Sequence, residues 1–192
     1  DLWGVVHNGK DIFKQSKKFL KQVKADGKKI VLISNAPRPN LVVEDQLTNK
    51  LGLNKDLYDF IVTSGDITAI SINDKRFGDS YYHLGPTKDK DLLKNITLVQ
   101  KDKLVDADFV LCTGIDDDEI ETVNDYSDVL DEMKKLELTM VCANPDKIVY
   151  RGDNKIDCAG ALAFNYEKIG GLVKYFGKPY QEIYEYILNQ LN

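Results

Sequence analysis

Residues 29–39 read Lys29-Ile30-Val31-Leu32-Ile33-Ser34-Asn35-Ala36-Pro37-Arg38-Pro39. The run through Ile33 is apolar and does not alternate, as in a strand buried on both faces. It stops at Ser34-Asn35. Pro39 then opens a helix-like stretch with Leu41, Val42 and Leu47 on one side. A buried strand that ends in small polar residues and passes into a helix is the repeating unit of a covered parallel sheet.

The same texture extends in both directions. Upstream, Ile12, Phe13, Phe19, Leu20 and Val23 form a helical stripe, with Gly27 as its stop. Downstream, Phe60-Ile61-Val62 is a short strand ending at Thr63-Ser64-Gly65, and Asp66 is placed to cap a helix. Further strand patterns fall at 81–84, 96–99, 108–112, 138–142 and 172–176. Helical patterns fall at Val129-Leu130-Met133, at 159–169 before Gly170-Gly171, and at 180–191. Strands alternating with helices predict an α/β fold with a parallel sheet and right-handed crossovers. In such sheets the reactive groups collect at the carboxyl ends of strands. Three strand ends carry suggestive residues: Ser34-Asn35, Thr63-Ser64-Gly65 and Gly177-Lys178-Pro179.

Composition sets limits. The chain has 192 residues, 43% hydrophobic and 30% charged, enough for a real core and an ordinary polar surface. A net charge of −5 argues against general nucleic-acid binding. No apolar run approaches the roughly 20 residues that span a bilayer, so no membrane partner is expected. Cys112, Cys142 and Cys158 match no zinc spacing and no disulfide framework. They read as free buried thiols in a reducing compartment, which places the protein in the cytoplasm. With only His7 and His83, the sequence argues against a histidine-rich metal site. The chain opens at Asp1 and stops at Asn192 straight after a helical pattern, which reads as an excerpt of a longer protein.

Three features bear on chemistry. Asp1-Leu2-Trp3-Gly4 sets a carboxylate before a glycine turn. Ser34-Asn35 offers a hydroxyl and unpaired backbone N–H groups to a phosphoryl oxygen. Lys178, between Gly177 and Pro179, can neutralise a carboxylate and a phosphate together. Each alone is commonplace as a turn, a cap or a solvated lysine. The acidic run Asp116-Asp117-Asp118-Glu119 reads as a solvated helix start rather than a metal site.

The order of these features resembles the successive motifs of the haloacid dehalogenase superfamily. Thr63-Ser64-Gly65-Asp66-Ile67-Thr68-Ala69, Ala143-Asn144-Pro145-Asp146, Ala159-Gly160-Ala161-Leu162 and Gly177-Lys178-Pro179-Tyr180 resemble its NagD-like subclass IIA. The resemblance covers almost the whole chain. The opening looks like a branch with Asp-x-Trp-Gly in place of Asp-x-Asp-Gly. It implies a Rossmann-like core at 1–70 and 172–192 with an inserted α/β cap at 71–171. It also implies a magnesium-dependent phosphohydrolase acting on a small phosphorylated metabolite. Asp1 would be the nucleophile, and its carboxylate and the Trp3 backbone carbonyl would bind Mg2+. Ser34 and Asn35 would hold phosphoryl oxygens, and Lys178 would hold both Asp1 and the phosphate. Arg38, Asn144 and Asp146 would meet the substrate, and cap-mediated dimers would be open to the chain. By the same pattern a strand precedes Asp1 and an acidic metal motif follows Asn192. Family phosphatases carry a second aspartate where Trp3 stands, an acid worth about 10²–10⁴-fold in rate. That departure leaves an alternative: a catalytically impaired protein that binds phosphate ligands on the same fold.

Overall fold

α1 (Lys14–Ala25) leads into β1 (Val31–Ser34), α2 (Asn40–Asp45) and β2 (Phe60–Thr63). The computed structural model describes residues 1–151 and 153–191. β1 and β2 pair in parallel, from Val31 opposite Phe60 to Ser34 opposite Thr63. Leu2, Val6, Leu20, Leu32, Val43, Leu47 and Ile61 share the core around this pair. Two residues of the expected stripes face solvent instead: Phe19 is 67% exposed and Leu41 73%. On α1 the buried line runs through Leu20, and Phe19 lies about 100° away from it around the helix. On α2 the inward residue is Val43, and a π turn (Gln46–Lys50) carries Leu47 inward as well.

α3 (Ser64–Asn73) starts where β2 stops, because Thr63 and Asp66 form a capping box: each side chain takes the other's backbone N–H, at 3.0 and 3.1 Å. A larger sheet follows. Its strands β3 (Ser80–Leu84), β4 (Val99–Lys101), β5 (Phe109–Cys112), β6 (Thr139–Cys142) and β9 (Val173–Tyr175) lie in the order β4-β3-β5-β6-β9, all parallel. β4 begins at Val99, three residues after the expected start at Ile96. Ile96 and Leu98 are buried, but the Asn73 side chain holds the N–H and hydroxyl of Thr97 before the ladder can form.

One face of this sheet carries α3, α4 (Lys90–Leu93) and α7 (Gln181–Leu191) over Ile72, Phe109, Leu111, Val141 and Ile183. The other carries α5 (Ser127–Lys135) and α6 (Ala159–Lys168) over Val110, Met133, Met140, Leu162 and Tyr166. Burying such a side chain is worth about 1.5–3 kcal/mol. The first cluster also takes in Val62 of β2, so the small and large sheets share packing. The architecture is the expected one, a Rossmann-like α/β core with an α/β cap.

Two details differ from the sequence reading. Val173–Tyr175, expected in the core after residue 171, pairs with β6 and forms the edge of the larger sheet. Its Val-Lys-Tyr pattern fits either sheet, and only the pairing distinguishes them. An antiparallel hairpin, β7 (Ile148–Arg151) and β8 (Asn154–Asp157), was not anticipated. No helix among the described residues is long and apolar enough to cross a membrane.

Candidate active site

Four strand ends converge. β1 delivers Ser34 and Asn35, β2 delivers Ser64, β6 leads to Asn144-Pro145-Asp146, and β9 leads to Gly177-Lys178. The Asn35 side chain joins them: Oδ1 accepts the Lys178 N–H at 2.7 Å, and Nδ2 donates to the Lys178 carbonyl at 3.1 Å and to Asp146 Oδ1 at 2.9 Å. Asn144 Oδ1 accepts the Asp146 N–H at 3.0 Å and shapes that turn. Ser64 donates its hydroxyl to the Phe176 carbonyl. The crowding explains Gly177. Its φ is +111°, and a Cβ would stand 2.7 Å from Asn35 Oδ1 and 2.8 Å from Ser64 Oγ.

The charge centre is Lys178. Its ammonium lies 2.6 Å from Asp1 Oδ1 and 3.5 Å from the Ile33 carbonyl. Burial lowers the ammonium below its usual 10.5, opposed by Asp146 and Tyr184. Asp1 Oδ1 also accepts the Leu2 N–H at 2.8 Å, which fixes the carboxylate. The half-exposed Asp1 side chain remains open to a ligand. Ser34 Oγ accepts the Ala36 N–H at 3.1 Å, leaving its own proton free to donate. The side chain of Asn35 is spent on Lys178 and Asp146, so only its backbone is available to a ligand.

Of the eight residues singled out from the sequence, six form this cluster directly or through one bond: Asp1, Ser34, Asn35, Asn144, Asp146 and Lys178. Trp3 stands beside it. The Arg38 backbone is locked, its carbonyl accepting the Thr63 hydroxyl at 2.7 Å while Gly65 packs flush against it. The Arg38 side chain makes a long bond to Gln46, 3.4 Å, and its charge acts on His7 and Asp89.

Comparisons with known proteins give the family. The family profile described as haloacid dehalogenase-like hydrolase matches residues 1–98. A solved haloacid dehalogenase-like hydrolase from Brucella suis 1330 is 38% identical over all of this chain and 72% of its own, with a TM-score of 0.93. The chain belongs to the haloacid dehalogenase-like hydrolases. NagD from E. coli K-12 (24% identity, 99% of this chain and 72% of that one, TM-score 0.67) shares the fold. So does the 4-nitrophenylphosphatase of Thermotoga maritima (22%, 100% and 71%, TM-score 0.75). Comparison with curated proteins gave no match.

Three features of this haloacid dehalogenase-like hydrolase escaped the sequence reading. First, the Trp3 indole N–H donates to the Tyr150 carbonyl at 2.9 Å, and the ring packs edge-on against His7 with centroids 5.4 Å apart. His7 is buried, and burial with the nearby Arg38 charge lowers its basicity. Second, Asp118 is not part of a helix start. It sits in a turn and receives Lys88 at 2.7 Å and both Arg151 nitrogens at 3.1 and 3.2 Å. Third, Asp89 is buried beside Thr113, whose hydroxyl lies 2.9 Å from His83 Nε2. None of the three had a local signal; the unanticipated hairpin did, in Gly152-Asp153 between two strand-like runs. The three cysteines are free and buried.

Proposed function

We propose that the protein hydrolyses a small phosphorylated metabolite by transferring the phosphoryl group to Asp1 and then to water. The Asp1–Lys178 pair beside the Ser34 hydroxyl carries this reading. A carboxylate oxygen of Asp1 forms the bond to phosphorus as the bond to the leaving oxygen breaks. Ser34 and the Asn35 backbone hold phosphoryl oxygens, and Lys178 offsets the charge that nucleophile and phosphate bring together. Trp3 cannot act as a general acid, so the leaving oxygen takes its proton from solvent. Substrates whose leaving group is already acidic suffer least from that. Arg38, Asn144 and Asp146 line the approach. The segment at about 71–171 acts as the cap, and its closure excludes water.

Magnesium fits the oxygen donors available. Asp1 Oδ2 and the Trp3 carbonyl make no hydrogen bond among the described residues. Among the described residues, no three His, Cys, Asp or Glu side chains gather as a metal cage there. Mg2+ typically keeps several waters and uses one or two carboxylates plus substrate phosphate, which suits such an open set. Asp1 and the Trp3 carbonyl would hold it, and bound there it would neutralise phosphoryl charge. The free cysteines suit a cytoplasmic protein.

Trp3 favours a second reading, a phosphate-ligand binding protein with little turnover. One experiment separates the two: magnesium-dependent hydrolysis of an aryl phosphate and of sugar phosphates by the complete protein and by Asp1→Asn. Turnover lost in Asp1→Asn supports the hydrolase. Phosphate binding without turnover supports the binding protein.

A further inference from the structure

The β7–β8 hairpin leaves the site at one end and returns to it at the other. At its base, Asp146 bonds the Asn35 side chain that also grips Lys178. Near its turn, the Tyr150 carbonyl meets the Trp3 indole N–H at 2.9 Å. Asn35 holds Lys178, which pairs with Asp1, and Trp3 follows Asp1 by two residues, so β7 is tied to the Asp1 cluster before its first residue and again near its last. On the outer side Arg151, next to Tyr150, forms a two-pronged contact with Asp118, which also holds Lys88 in the loop after β3. The hairpin has little packing of its own: Ile148 is 40% exposed and Tyr150 56%, and Ile156 is its one buried residue among those described. Its position therefore depends on these few polar ties. Gly9 admits the indole, since a Cβ there would stand 2.6 Å from the ring.

We propose that Trp3 is a positioning residue, a latch whose indole N–H holds the β7–β8 hairpin across the mouth of the Asp1 site, with the Arg151–Asp118 pair as the second catch. An ionised aspartate at this position could not donate to Tyr150, so the residue that removes an acid adds a strap. The inference concerns how the proposed phosphohydrolase site is closed, yet its test does not need turnover.

Trp3→Phe keeps an aromatic ring against His7 and Gly9, removes only the N–H, and changes no acid. Losing one hydrogen bond shifts an opening equilibrium about two- to tenfold. Trypsin reads that shift at Lys147, Arg151 and Lys155, all on or beside the hairpin. In the complete protein, cleavage there should quicken about two- to tenfold in Trp3→Phe, with other sites unchanged. The second catch is read from the opposite side. Trp3 is the chain's one tryptophan. Arg151→Ala should increase its quenching by acrylamide, any tryptophan outside this chain being replaced by phenylalanine. With an aryl phosphate as substrate, Arg151→Ala should raise KM while kcat holds. Unchanged hairpin cleavage in Trp3→Phe overturns the latch, and so does unchanged quenching in Arg151→Ala or a fall in kcat with KM unmoved. If no aryl phosphate is turned over but cleavage and quenching both change, the latch stands and the hydrolase reading falls.

Discussion

Asp89 ties stability to pH in a way that can be worked out. The residue is 3% exposed, in the turn that leaves the carboxyl end of β3. Burial raises its carboxyl from 3.8 to about 6, although Thr113, Arg38 and Lys88 all pull the other way. The folded state thus binds this proton more tightly than the unfolded chain. Its stabilising contribution is full below about 3.8 and is lost as pH rises through about 6. At 1.36 kcal/mol for each tenfold, the swing is about 3 kcal/mol. Asp89→Asn keeps the size and a partner for Thr113 but cannot ionise. Urea unfolding of both proteins from about pH 4 to about pH 8 isolates the effect from other carboxyls. The variant should match the parent at the acid end and exceed it by up to about 3 kcal/mol at the alkaline end. A gap that does not change with pH, or a variant that is weaker at alkaline pH, refutes the reasoning.

Three other perturbations address the site. Gly177→Ala should cost about 2–4 kcal/mol in thermal or urea unfolding, because it combines a left-handed backbone with a clash on Asn35 and Ser64. Lys178→Ala should weaken inorganic phosphate binding at least tenfold by calorimetry, about the value of one charged hydrogen bond; an unaltered dissociation constant removes Lys178 from the site. Trp3→Asp should speed hydrolysis of alkyl phosphates more than aryl phosphates, by up to about 10²-fold, because it restores an acid. An equal effect on both would show that proton transfer is not what Trp3 changes.

The strands were legible because parallel strands buried on both faces are written as unbroken apolar runs: Val31 to Ile33 and Phe109 to Cys112 can be little else. The gathering of Asp1, Ser34, Asn35 and Lys178 was legible through motif order, although β1 and β9 belong to different sheets. Other parts depended on partners far away in sequence. Nothing around Val173 says which sheet it joins until β6 is seen beside it. Phe19 and Leu20 are equally apolar, and the packing partner alone decides which one is buried. Asp118 looked like any acidic residue in a charged run, because Arg151 and Lys88 each lie about 30 positions away. Trp3 read as a lost acid, and only the Tyr150 carbonyl gave its indole N–H a role.

The most direct test of the account is to trap the phosphorylated protein. The complete protein is mixed with magnesium and a large excess of an aryl phosphate, quenched in acid within the first turnover, and mapped by peptide mass. The account predicts a phosphoryl group on the peptide that carries Asp1, absent when Asp1 is asparagine. Turnover with no such adduct, or the same adduct in Asp1→Asn, would contradict it.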